Sequence, residues 1–160
     1  TDRIAVFGTT RTIASNVYAE EIRKRCPKVT VVQQVCSALA GAIEEGAAEP
    51  ELERLVEAAI AGAMAEASGE PPPRAILGCT HFPLVEHLFR RHLPPATRIL
   101  SQPEVVADSL EDYLSRHPHY RGDVLAAPRR VLLTTGDPDE TSARARVFAG
   151  EGLHFECLEG

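Results

Sequence analysis

The chain has 160 residues, 44% of them hydrophobic, and a formal net charge of −6 at pH 7. This length and composition suit one globular domain with a buried core, and the acidic balance argues against a nucleic-acid partner, because nucleic-acid binding usually needs a clustered basic face. The chain shows no apolar run of bilayer length and no signal-peptide pattern in TDRIAVFGTT, which predicts a cytoplasmic protein without a membrane partner.

Apolar runs of strand length alternate with stretches of helical period along residues 1–116. This alternation predicts an α/β fold with a mostly parallel sheet flanked by helices. The expected elements, in chain order, are a strand at 4–7, a helix at 12–25, a strand at 29–32, helices at 37–45 and 51–67, a strand at 75–77, a helix at 84–92, a strand at 98–100 and a helix at 103–115. We therefore expect residues 1–116 to form one α/β domain.

Residues 117–160 follow a different pattern. Residues 117–130 contain two prolines and a glycine and fit neither period, so they are expected to form a loop or crossover. A strand at 131–134, a helix at 139–149 and a strand at 154–157 complete the prediction. Because strand, helix and strand are too few to form a domain, this segment should pack on a larger sheet, either that of residues 1–116 or one outside this chain.

The loop after the first predicted strand reads Gly8-Thr9-Thr10-Arg11-Thr12. In open α/β sheets, ligands bind at the carboxyl ends of the strands. A glycine followed by hydroxyls and a helix N-terminus is typical of a cradle for a small anion such as a carboxylate. The alternative is ordinary helix capping by Thr10 or Thr12.

The loop after the third predicted strand reads Gly78-Cys79-Thr80-His81. A helix N-terminus and a neighbouring histidine both favour the thiolate form of a cysteine. Cys79 is therefore a candidate nucleophile or proton-transfer base. The alternative is a buried structural cysteine, which is a common environment for this residue.

Other chemistries find less support in the residues. A cysteine-phosphatase loop needs arginine six residues after the cysteine, but that position is Val85. The four cysteines form no CxxC pair, which indicates free thiols in a reducing compartment and no structural zinc site, although the spacing of His117 and His119 leaves a metal pair open. Neither Lys24 nor Lys28 lies at a ligand-facing strand end, as a pyridoxal Schiff base would require. We expect neither a metal nor a cofactor.

Four motifs resemble the glutamate racemase family of cofactor-independent aspartate/glutamate racemases, and they follow one another along the chain in the same order as in that family. The most specific is ILGCTHFPL (residues 76–84), which is similar to the family's second cysteine motif. The others are GTTRTIASNVY (8–18), CSALAGAIEEG (36–46) and LLTTGDP (132–138). The resemblance covers essentially the whole chain.

This resemblance implies two pseudo-symmetric α/β domains with the substrate between them and one cysteine from each. It implies that Cys79 is a proton-transferring thiol, that His81 assists it, and that Thr80 lines the substrate. It places Thr9 and Thr12 in the cradle for the substrate carboxylate. The resemblance also places Glu44 near the α-ammonium, whereas the residues alone left Glu44 and Glu45 as either ligand-facing or solvated.

The chain departs from the family in two places. The family's first half, with its first catalytic cysteine, has no counterpart, and Ser101-Gln102 stands where the family usually has an aspartate-serine pair. The resemblance therefore implies a fragment, the second domain plus a C-terminal return that packs on a first-domain sheet. Such a chain would be inactive alone and would self-associate through its exposed inter-domain face.

The expected function is interconversion of L- and D-glutamate for peptidoglycan synthesis, with glutamate as the small-molecule substrate. Racemisation needs a base on one face of Cα and an acid on the other, which two cysteines can supply. The alternatives are a related aspartate or hydantoin racemase, and a non-catalytic half-enzyme that binds a carboxylate or docks a protein.

Overall fold

A computed structural model describes residues 3–120, 131–150 and 152–158. The chain divides into two compact units, residues 1–108 and 109–160. Within the described ranges, every helix is too short or too polar to span a bilayer.

The first unit is built on a four-stranded sheet in which every paired strand runs parallel. Its strands are β1 (Arg3–Gly8), β2 (Thr30–Val35), β3 (Arg74–Leu77) and β4 (Arg98–Leu100). Their order across the sheet is β2-β1-β3-β4. The predicted fold class, a mostly parallel sheet flanked by helices, is confirmed.

Helices connect these strands in the manner expected of parallel crossovers. They are α1 (Thr10–Ala14), α2 (Val17–Arg25), α3 (Leu39–Glu44), α4 (Glu49–Glu66), α5 (Glu86–His92) and α6 (Gln102–Arg116). Two 3₁₀ turns, Phe82–Val85 and Pro118–Tyr120, precede α5 and follow α6. Helix α6 crosses the boundary between the units.

One face of the sheet forms the core of the first unit. Its buried side chains are Ala5, Phe7, Ala75, Leu77 and Ile99. Helix α4 packs against β2, and Phe89 of α5 packs on Phe7 with ring centroids 5.2 Å apart. Truncating a buried phenylalanine of this kind to alanine costs about 3 to 5 kcal/mol of stability. This core fixes the strands whose ends carry the candidate site.

The opposite face of the sheet is partly open. Ile4, Ile76 and Leu100 line a groove of about 500 Å³, together with Cys26, Val29, Arg74 and Arg98. Leu100 is 46% exposed. The groove is largely apolar because alternate side chains of three hydrophobic strands point to this face.

The prediction of one helix over 12–25 is wrong. Asn16 has a left-handed backbone, with φ of 56°, and separates α1 from α2. Asparagine tolerates this conformation better than most residues, and the Asn16 side-chain oxygen accepts a hydrogen bond from Nε2 of Gln33 at 2.9 Å. The same contact accompanies an extension of β2 to Val35, beyond the predicted end at residue 32.

The helix predicted at 84–92 begins differently. The N–H of Leu84 donates to the carbonyl of His81 at 3.1 Å, and a 3₁₀ turn leads into α5 at Glu86. Tight turns of this type are frequent at helix N-termini. The loop that carries Cys79 therefore leads into a 3₁₀ turn before a seven-residue helix.

The second unit contains a small parallel sheet and one helix. Strands β5 (Leu132–Thr134) and β6 (Phe155–Cys157) flank α7 (Pro138–Ala149). Asp137 caps α7 by accepting from the N–H of Glu140 at 2.8 Å. The predicted strand, helix and strand are thus present, while residues 121–130 of the expected crossover lie outside the described residues.

Candidate active site

The loops after β1, β2 and β3 meet at the carboxyl edge of the first-unit sheet. The N–H of Gly78 donates to the carbonyl of Phe7 at 2.8 Å, and the N–H of Cys36 donates to the carbonyl of Gly8, also at 2.8 Å. These bonds extend the strand pairing by one residue into each loop. Polar groups on the three loops are consequently close neighbours at the edge where α/β sheets bind ligands.

Cys79, His81 and Glu44 form a continuous chain of contacts at this edge. Sγ of Cys79 lies 3.7 Å from Nδ1 of His81. Nε2 of the same ring lies 2.9 Å from Oε1 of Glu44. The His81 side chain is 31% exposed and that of Glu44 is 53% exposed, so the arrangement is open to a small molecule.

The contact with Glu44 determines how His81 can act on Cys79. A carboxylate only accepts hydrogen bonds, so this contact requires a proton on Nε2 of His81. In the neutral ring, Nδ1 is then the acceptor that faces the thiol. Transfer of the thiol proton to Nδ1 would give a thiolate beside an imidazolium that the Glu44 carboxylate stabilises. The arrangement can therefore supply a base at Cys79.

The helix dipole adds less at Cys79 than the sequence led us to expect. The carbonyl of Cys79 accepts from the N–H of Phe82 at 3.2 Å, which starts the 3₁₀ turn. A short 3₁₀ turn followed by a seven-residue helix aligns few peptide dipoles. The histidine contact is thus the main feature that distinguishes this thiol.

The remaining cysteines lie in different environments. Cys36 is buried, its S–H donates to the Gln34 carbonyl at 3.8 Å, and burial raises the pKa of its thiol to about 12. Cys26 and Cys157 are exposed. Among the described residues, no three His, Cys, Asp or Glu side chains form a group that could hold a metal ion.

The hydroxyls after β1 form a pair. Oγ1 of Thr9 and Oγ1 of Thr12 lie 2.9 Å apart, and Oγ1 of Thr9 also accepts from the N–H of Thr12 at 3.3 Å. Thr9 is therefore the N-cap of α1, whereas the capping alternative assigned that role to Thr10 or Thr12. Thr80 is exposed and makes no hydrogen bond within the described residues.

Two further residues near Cys79, Tyr18 and Gln102, were not among the candidate site residues inferred from the sequence. Nε2 of Gln102 donates to the Tyr18 hydroxyl at 2.6 Å. The Tyr18 ring lies 3.1 Å from the position that a Cβ on Gly78 would occupy. The signal in the sequence was the departure at Ser101-Gln102, which lacked a partner until the fold was known.

No protein-family model matches the chain. A glutamate racemase of Phenylobacterium zucineum (strain HLK1) is 43% identical over 155 residues, which are 97% of this chain and 54% of that relative. A glutamate racemase of Caulobacter sp. (strain K31) is 43% identical over 156 residues, 98% of this chain and 54% of the relative. The chain spans about half the length of these relatives.

Solved structures give the same result for the fold. A glutamate racemase from Bacillus anthracis matches with a TM-score of 0.83 and 25% identity, over 99% of this chain and 57% of that one. One from Francisella tularensis, solved in complex with D-glutamate, matches with a TM-score of 0.81 and 22% identity, over 99% of this chain and 58% of that one. By sequence and by fold, the chain is similar to glutamate racemases over nearly its whole length, and it spans about half the length of those proteins.

Proposed function

We propose that this chain supplies one of the two proton-transferring thiols, Cys79, of a glutamate racemase. The observation that carries the proposal is the line of contacts from Cys79 through His81 to Glu44. It gives a thiol a base within reach and gives that base a carboxylate partner. The names of the related proteins supply the reaction class and glutamate as substrate.

In the proposed reaction, the Cys79 thiolate removes the proton from Cα of glutamate. The electron pair of the C–H bond stays on Cα and the proton ends on Sγ, leaving a planar carbanion. A proton then reaches Cα from an acid on the opposite face, which inverts the configuration. In the reverse direction, Cys79 donates its proton and His81 stabilises the resulting thiolate.

The remaining candidate residues bind the substrate in this proposal. Thr9, Thr12 and Thr80 supply hydroxyl donors for the substrate carboxylates. Thr9 and Thr80 lie in loops that follow central strands, and Thr12 lies in α1, which Thr9 caps. One oxygen of Glu44 accepts from His81. The half-exposed carboxylate retains acceptor capacity for the α-ammonium.

The acid on the opposite face of Cα is not supplied by another cysteine of the described residues. Cys36 is buried, and Cys26 and Cys157 have no histidine contact within the described residues. We therefore assign the opposing thiol to residues outside this chain and expect the chain alone to be inactive in complete racemisation. D-glutamate made by the whole enzyme would supply peptidoglycan synthesis in the cytoplasm, a reducing compartment that suits four free thiols.

We also propose that the second unit joins a larger sheet. Two-stranded parallel sheets rarely stand alone, because parallel sheets are normally covered on both faces. Leu133 in β5 is 49% exposed, and Val131 and Leu158 are 44% and 50% exposed. These features support packing of residues 117–160 on the sheet of a first domain.

The open face of the first-unit sheet supports self-association of the isolated chain. Its groove exposes apolar side chains, including Leu100. Sedimentation over a wide range of concentration should show association that Leu100→Lys weakens. Val17→Lys, at a residue that is 55% exposed and outside the groove, is the control. A clean monomer at high concentration would contradict this part of the proposal.

The catalytic proposal is tested by proton NMR of the chain with L-glutamate and then D-glutamate in heavy water. We expect loss of the α-proton signal of at least one enantiomer. That exchange should disappear in Cys79→Ala and persist in Cys157→Ala. Glutamate binding by calorimetry without any exchange would favour the non-catalytic carboxylate-binding alternative instead.

A further inference from the structure

Tyr18 links two parts of the first unit that are distant in sequence. Its hydroxyl accepts a hydrogen bond of 2.6 Å from Nε2 of Gln102, the first residue of α6. Its ring packs on Gly78, where a Cβ would come within 3.1 and 3.3 Å of two ring carbons. The tyrosine therefore contacts the residue directly before Cys79.

The backbone that carries Tyr18 is also held by a contact with β2. Asn16, two residues earlier, has a left-handed conformation, and its side-chain oxygen accepts from Nε2 of Gln33 on β2 at 2.9 Å. Helix α2 starts at Val17, so this contact fixes the first turn of the helix. Tyr18 is thus held through its backbone toward β2 and through its hydroxyl toward α6.

Gly78 has little room between its neighbours. Its N–H donates to the carbonyl of Phe7 at 2.8 Å, and the same carbonyl oxygen lies 3.1 Å from the Cβ position. The Tyr18 ring closes the remaining side. Because the Gly78 peptide is confined in this way, the backbone of Cys79 has a fixed starting direction, on which the 3.7 Å contact from Sγ to His81 depends.

We propose that Tyr18 and Gln102 are positioning residues for Cys79. The hydrogen bond from Gln102 fixes the Tyr18 ring, the ring holds the Gly78–Cys79 peptide, and the peptide keeps the thiol beside Nδ1 of His81. This inference rests on the proposal that Cys79 is the reactive thiol. In this inference, both residues act on the thiol through the Gly78–Cys79 peptide.

The test measures alkylation of each cysteine by iodoacetamide, with peptide mass spectrometry as the readout. The rate at pH 7 is divided by the rate at pH 10, which cancels changes in accessibility and leaves the effect of the surroundings on the thiolate. The variants are Tyr18→Phe, which keeps the ring, and Gln102→Met, which keeps the length but removes the donor. Tyr113→Phe makes the same chemical change at an exposed residue of α6 and serves as control.

We expect the Cys79 ratio to fall by roughly threefold in Tyr18→Phe and in Gln102→Met, the effect of weakening one neighbouring contact. The double variant should fall no further than either single variant, because both remove the same hydrogen bond. Tyr113→Phe should leave the ratio unchanged. Buried Cys36 should stay protected in every variant, which shows that the fold is intact.

Two results would overturn the inference. One is an unchanged Cys79 ratio in both variants. The other is a parallel rise in Cys36 alkylation, which would mean a general loss of structure in place of local positioning. Failure of the proposed function gives a different pattern, in which the Cys79 ratio of the unsubstituted chain is no higher than that of exposed Cys157 and does not respond to His81→Gln.

Discussion

The carboxylate of Glu44, the last residue of α3, lies 2.9 Å from Nε2 of His81 in the loop after β3. This contact joins the crossover after β2 to the loop that carries Cys79. It also fixes which nitrogen of the ring faces the thiol, since the carboxylate holds the proton of Nε2.

Glu44→Gln should lower the reactivity of Cys79 at neutral pH. The amide still accepts from Nε2, but it does not stabilise a positive imidazolium as a carboxylate does. We expect the rate of Cys79 alkylation at pH 7 to fall by about threefold to tenfold, the range for a partly exposed charge-assisted contact. Glu45→Gln, at the neighbouring exposed carboxylate, is the matched control. Equal effects at both positions would show that general surface charge, and not this contact, is responsible.

Cys36 should resist alkylation at pH 8 while Cys26 and Cys157 react. Burial raises the pKa of the Cys36 thiol to about 12, so almost none of it is thiolate at this pH, and the reagent has no direct access. In denaturant, all four cysteines should react at similar rates. Rapid labelling of Cys36 in the native chain would contradict the packing of the loop after β2.

Gly78→Ala should destabilise the first unit. The new Cβ would come within 3.1 Å of both the Phe7 carbonyl oxygen and the Tyr18 ring, and the carbonyl is part of the backbone and cannot easily move. Overpacking of this kind costs about 1 to 3 kcal/mol, measurable by urea unfolding. Wild-type stability in this variant would mean that the close contacts at Gly78 relax without cost.

Gly41→Ala should raise stability, whereas Gly46→Ala should lower it. Gly41 lies inside α3 with open space at its Cβ position, and replacing a helical glycine with alanine gains about 0.5 to 1 kcal/mol. Gly46 has φ of +69°, a left-handed conformation that costs alanine about 1 to 2 kcal/mol. Urea unfolding of the two variants checks both signs. If both substitutions changed the stability in the same direction, the backbone conformation of the two glycines would not explain the changes.

Arg91→Gln should destabilise the chain more at pH 7 than at pH 3. Arg91 contacts Glu53 at 2.8 Å and Glu49 at 3.2 Å, which joins α5 to α4. The Arg91 guanidinium, and then His92, lower the pKa of Glu53 from its ordinary value of 4.5. A carboxyl whose pKa is lower in the folded state than in the unfolded state stabilises the fold at any pH above its unfolded-state pKa. This stabilisation is lost as the pH falls through the folded-state pKa.

Thermal melts at the two pH values measure this difference. The loss of Tm caused by Arg91→Gln should shrink at pH 3 and in high salt, because the exposed pairs are then protonated or screened. Arg23→Gln is the control, since Arg23 makes no ion pair within the described residues. A loss that does not change with pH would show that Arg91 acts through the packing of its hydrocarbon stem.

The strands of the first unit were largely predictable, because each contains a short apolar run with at least one buried residue. The break at Asn16 was not predictable, because apolar positions continue at helical spacing from Ile13 through Val17 and hide a single left-handed residue. The extension of β2 was missed for a similar reason. Gln33 and Gln34 mark a strand end by polarity, yet Gln33 bonds Asn16 and Gln34 packs on Gly62 of α4.

The candidate site was likewise predictable only in part from the sequence. Cys79 and His81 lie two residues apart, so their contact follows from local sequence. The role of Glu44 came from the family resemblance, because a carboxylate at a helix end is usually solvated. The hydrogen bond between Tyr18 and Gln102 joins residues 84 positions apart, and only the fold brings them together.

The strand order β2-β1-β3-β4 bears on how the chain is made. Strand β1 pairs on one side with β2, which follows soon after it, and on the other side with β3, whose first residue Arg74 opposes Ile4. During synthesis, the N–H and C=O groups along one edge of β1 have no strand to pair with until β3 has left the ribosome. The loop with Cys79 leaves directly after β3, so the thiol, its histidine and the covered edge of β1 are completed at almost the same moment of translation.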